Sequence, residues 1–81
     1  MKTQAYHKSI YEKLLPPSMT RNSVVMGSLK RFEIERKRQR QPLTAISVIM
    51  ICRHISEWTP AQVVAAAEKA VTRGWSTLYK T

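Results

Sequence analysis

The chain holds no aspartate, one cysteine, two glycines and one phenylalanine in 81 residues. Each shortage excludes something. Without aspartate the acids are five glutamates, and the two histidines, His7 and His54, fall in separate predicted helices with no obvious acid or nucleophile to pair with. No catalytic constellation assembles, so an enzyme is not expected. Cys52, being alone, can form neither an internal disulfide nor a cysteine-based metal site, and is expected in the core of an intracellular protein. The spacing of His7, Cys52 and His54 matches no zinc pattern. Gly27 and Gly74 stand apart and belong to no phosphate-binding loop, so no cofactor is expected. No apolar run approaches the roughly 18 residues of a membrane span, and MKTQAYHKSIYEKLL lacks the apolar stretch and cleavage site of a secretory signal. A soluble, cytoplasmic protein with no membrane partner is expected.

What is abundant is positive charge. Fourteen lysines and arginines give a formal net charge of +9 and a pI near 10.3, a potential that attracts polyanions. Nucleic acid is the first partner this suggests, and an acidic protein is the alternative. At 43 % hydrophobic residues the chain should fold, and its length allows a single domain, 1–81, with one small core.

The pattern along the chain predicts an all-α protein, a small bundle of about four helices with a protruding basic helix. In residues 1–22, Ala5, Tyr6, Ile10, Tyr11, Leu14 and Leu15 recur at helical spacing until Pro16 and Pro17, and PPSMTRNS follows as a linker. Asn22 or Ser23 can cap the basic helix of 23–41, where Val25, Leu29 and Phe32, together with Met26 and Ile34, supply the apolar side. Glu33 and Lys37 are placed for an i,i+4 pair. The last two turns, lacking apolar residues after Ile34, should project as a solvated end. In the helical core of 42–81, Leu43 to about Ser56 is too long for a usual strand and has no glycine to turn it, although its β-branched residues would suit a buried strand. Thr59 and Pro60 open the next helix, and Gly74 is placed to end it in a left-handed conformation.

The candidate nucleic-acid-binding residues are Lys30, Arg31, Arg36, Lys37, Arg38 and Arg40. On a helix, Lys30, Lys37 and Arg38 share part of one side, while Arg31, Arg38 and neighbouring Arg36 and Arg40 cover another, so phosphates can be met from several directions, which favours phosphate contact over base reading. Arginine can also pair guanine edges or enter RNA as part of a basic helix. The segments 45–55 and 60–72 resemble a helix-turn-helix, yet Gln62 would be the single strong hydrogen-bonding side chain near the start of the second helix. Trp75, Leu78 and Tyr79 are expected to fold back as a short turn or lie along the bundle, and form a candidate partner-binding patch if exposed. His54 is expected as a boundary residue and His7 as an exposed one. The broad apolar central helix also raises homodimerisation.

Across TPAQVVAAAEKAVTRGWSTLY, Ala70, Gly74, Trp75, Leu78 and Tyr79 follow the form A-x-x-x-G-W-x-x-L-Y. This closing segment resembles that of phage- and plasmid-borne replication accessory proteins with a DnaD-like C-terminal module. The resemblance implies a small helical module that binds DNA and replication partners, and a phage or mobile element as its source. A nucleic-acid-binding accessory protein, with DNA ahead of RNA, is therefore the expectation, and a phage inhibitor or adaptor docking on an acidic protein is the runner-up.

Overall fold

Short local signals set the ends of the helices. In the computed structural model, which describes residues 7–80, α1 spans Lys8–Leu14, α2 Pro17–Thr20, α3 Ser23–Arg38, α4 Ala45–Ile55 and α5 Pro60–Arg73, and no strand occurs among the described residues. The protein is all-α, and the stretch after Leu43 is a helix. Ala5 and Tyr6, assigned above to the first helix, lie outside the described residues.

Asn22 starts α3 by accepting hydrogen bonds from the amides of Val24 and Val25. Thr44 does the same for α4 through Ser47. At α5 the cap is reciprocal: Thr59 accepts from the Gln62 amide while the Gln62 side chain accepts from the Thr59 amide. Pro60 follows at a position where its missing N–H is no loss. Gly74 then closes α5 at φ 71°, left-handed backbone that a side chain would strain. The expected linker contains α2, opened by Pro17, which buries Met19 completely. Proline at the first helical position carries the same logic there as at Pro60.

The main helix pairs are α3 with α5 and α1 with α4, while α2 braces α3. Ala66, Ala67 and Ala70 of α5 are buried, as is Ser28 of α3, and these small side chains suit close backbone approach. Around them pack Tyr11, Val25, Leu29, Phe32, Val48, Ile55 and Val63, each essentially without exposure. Full burial of an aliphatic or phenylalanine side chain of this set contributes about 1.5–3 kcal/mol. Thus α3 is a wall of the core along most of its length.

At the two ends of the molecule the C-terminal segment folds back as expected, whereas the exposed patch and the exposed His7 are not found. Leu78 is 0 % exposed and belongs to the core, so the C-terminal segment folds back along the bundle. It cannot contribute to a Trp75–Leu78–Tyr79 contact patch. Trp75 is half-buried with its ring edge-on to that of Tyr79 at 5.0 Å, leaving Tyr79 as the exposed member. His7, expected in solvent, caps α1 through its carbonyl and reaches Glu33.

Candidate nucleic-acid interface

The basic run of α3 divides according to helical geometry. Val25, Met26, Leu29 and Phe32 turn one side of the helix into the core, and 3.6 residues per turn fix what lies opposite. Lys30, Arg31, Lys37 and Arg38 are all exposed, at i, i+1, i+7 and i+8, and they flank Ile34, itself 43 % exposed. These residues form one outer stripe. Gly27 stands one turn before it, also exposed, and a Cβ built there would meet nothing within 4 Å. No side chain fills the stripe at Gly27, and the exposed Val24 lies a further turn toward the N-terminus.

Glu35 and Arg38 modify the stripe. The Arg38 Nε and Nη2 donate to the two oxygens of Glu35 at 3.1 and 2.7 Å, a forked pair. These hydrogen bonds hold the Glu35 carboxyl below the usual carboxylate range and raise the Arg38 guanidinium above its own. A phosphate must share Arg38 with that carboxylate.

Glu33 goes the other way. Expected beside Lys37 on the surface, it is buried, accepting hydrogen bonds from the Tyr11 hydroxyl and, at 3.2 Å, from the His7 amide; the His7 Nδ1 lies 2.7 Å from Oε1. A buried carboxylate requires such partners, and its helix position, one past Phe32, faces the core. The cluster ties α1 to α3. It also touches Cys52: burial first, and the Glu33 charge second, push the thiol up to about 11. Cys52 thus stays protonated at neutral pH and has little nucleophilic character.

Arg36 and Arg40 leave the stripe for separate reasons. Arg36 is half-buried on the core side, where its Nη1 donates to the Gln41 Oε1 at 2.8 Å and its sheltered Nε has no acceptor. Arg40 lies beyond the helix at φ 63°. The amides of Arg40 and Gln41 close back on the carbonyls of Lys37 and Arg36, a left-handed stop usually given to glycine. Of the six cations named from sequence, four therefore share one face; Arg40 is exposed past its end and Arg36 lines a different surface.

The helix-turn-helix expectation finds no support in this geometry. α5 takes α3 as its main partner, and Gln62, the one candidate base-reader, is held in the capping box. No family model matches the chain, and no curated protein or solved structure is significantly similar to it. Among the described residues no group of three histidine, cysteine or acidic side chains could hold a metal ion. Nor is any helix there long and apolar enough to cross a membrane.

Proposed function

We propose that this chain is a small nucleic-acid-binding accessory protein that grips the phosphate backbone of DNA along the outer face of α3. The observation that carries this reading is the exposed stripe of Lys30, Arg31, Lys37 and Arg38 on a chain of net charge +9. From Lys30 to Lys37 or Arg38 the helix rises about 10–12 Å, which matches three to four phosphates of one strand at an axial spacing of about 3.4 Å. Cation and phosphate numbers agree. Long flexible side chains around a bare helix face position a backbone and read few base edges, so binding should tolerate many sequences.

The resemblance at Ala70, Gly74, Trp75, Leu78 and Tyr79 adds a process to this activity: DNA replication or its regulation on a phage or other mobile element, in the cytoplasm. DNA is favoured over RNA on that ground. The test is fluorescence anisotropy against duplex DNA, single-stranded DNA and RNA at several salt concentrations. With Arg38 shared with Glu35, three to four phosphates are neutralised, and the log–log salt slope on duplex DNA should be roughly −2.7 to −3.6. Absence of binding at low salt, or binding indifferent to salt, refutes the proposal.

A further inference from the structure

Three features play no part in gripping phosphates along α3. Glu33 with His7 and Tyr11 is closed on itself, its oxygens already supplied with donors, and reads as a structural tie. Trp75 and Tyr79 meet each other, and nothing around them specifies a ligand. The third is a cleft of about 600 Å³ where the end of α3, the face of α4 and the segment Ser76–Thr77 come together. Its chemistry is specific.

Leu43 and Ile51 form its buried floor, and Met50, 65 % exposed, stands at its edge. Ile46, one turn before Met50 on α4 and 71 % exposed, continues the apolar strip beyond the cleft. Arg36 enters from α3, and Arg53 and His54 from the last turn of α4. Among the described residues no acidic side chain lines it. An apolar strip of helical spacing bordered by cations, with no carboxylate to neutralise them, is a surface with an unmet partner.

We infer that this cleft binds an amphipathic helix of an acidic protein, whose apolar side chains cover Ile46, Met50 and the floor while its carboxylates meet Arg36 and Arg53. The helical form follows from the host surface: the cleft lies between helices and offers no strand edge for an extended peptide to join. Arg36 suits the carboxylate role, because its bond to Gln41 fixes the guanidinium before a partner arrives. Methionine at the edge adapts to differing apolar partners. Charge sets aside a second copy of this chain, which would bring another +9 to a cationic site. Nucleic acid fits poorly, since the one ring lining the cleft among the described residues, His54, is engaged edge-on with Trp58 at 5.2 Å and the apolar strip would stay uncovered. This site is distinct from the outer stripe of α3 and stands or falls independently of DNA binding.

The probe is a capped peptide of about fourteen residues, four helical turns, with leucine and phenylalanine on one face and glutamate elsewhere. One control replaces leucine and phenylalanine by alanine; another replaces glutamate by lysine. Titration of each into isotopically labelled full chain, followed by amide chemical shifts, locates binding. The first peptide alone should shift the amides of Met50, Ile51, Arg53, His54 and Thr77. Met50→Lys with Arg53→Glu, both at exposed positions, should weaken it by at least about tenfold without altering the helical circular dichroism. Equal binding of the alanine control overturns the inference, as does a shift pattern centred on Lys30 to Arg38, or no shift in the cleft with any peptide. A single-stranded oligonucleotide that shifts the cleft amides more tightly than the peptide also overturns it, as does self-association through the cleft.

Discussion

Along the outer face of α3 the exposed side chains are Lys30, Arg31, Lys37 and Arg38 around Ile34, with Val24 exposed in the first turn, whereas along that of α4 they are Ile46 and Met50, with Arg53 and His54 only in the last turn. The inner faces are alike: each buries aliphatic or aromatic residues in the same core. Two helices with similar interiors thus present opposite exteriors. A face dominated by charge is suited to a hydrated polyanion, because contact with phosphates proceeds by release of counterions and needs little desolvation of carbon. Apolar cover with a few cations suits a partner that removes water. The difference teaches that a net charge of +9 does not describe one surface, and that the two exposed faces share no residues.

Reversal of Lys30, Arg31, Lys37 and Arg38 to glutamate is expected to have the largest effect, a loss of at least about a hundredfold in DNA affinity at low salt. Ile46→Lys with Met50→Lys should leave DNA affinity undiminished. If both variants lose DNA equally, the contrast between the helices is wrong, and anisotropy on the pair decides it. The next effect concerns the inner side of α4, where the Cys52 thiol is raised from 9.0 to about 11. A raised folded-state value means the unfolded chain gives up its proton first, so the contribution of Cys52 to stability is constant below pH 9 and falls by about 2–3 kcal/mol between pH 9 and 11. Urea denaturation across that window should show a steeper decline in the wild type than in Cys52→Ala, which cancels the contribution of other alkaline groups. Gly27→Ala comes third: on an exposed helix position with open space, it should stabilise the fold by about 0.5–1 kcal/mol and leave DNA affinity within about twofold. Thermal melts and anisotropy measure the two together. Smallest is Glu35→Gln, which frees Arg38 and should strengthen DNA binding about twofold, with a slightly steeper salt slope.

Legibility from sequence followed the range of the interaction. Thr59, Pro60 and Gly74 were readable because a cap or a stop is decided by neighbours within one turn. Asn22 was readable for the same reason. Glu33 was not: the tyrosine and histidine that hold it come from α1, and a local i,i+4 rule sent it to Lys37 instead. Arg36 likewise looked like its neighbours until Gln41 and the approach of α4 placed it on another surface. The short helix after Pro17 was hidden in turn-like chemistry, although Pro17 occupies a first helical position as Pro60 does. Leu78 could be assigned to the core only once the chain had folded back on itself. The cleft was invisible for the deeper reason that its walls come from three separated segments.

The pairing of α1 with α4 and of α3 with α5 interleaves along the chain, since the partners in each pair are separated by a member of the other. Neither half of the molecule is therefore a folding unit. During synthesis α3 leaves the ribosome with its apolar side uncovered and its cations already displayed, and it must wait for Pro60–Arg73 before its main partner exists. A nascent or truncated chain ending before α5 would carry the cationic stripe on a segment without its main packing partner. Completion of the C-terminal third is thus what turns a sticky basic segment into a rigid surface with defined spacing.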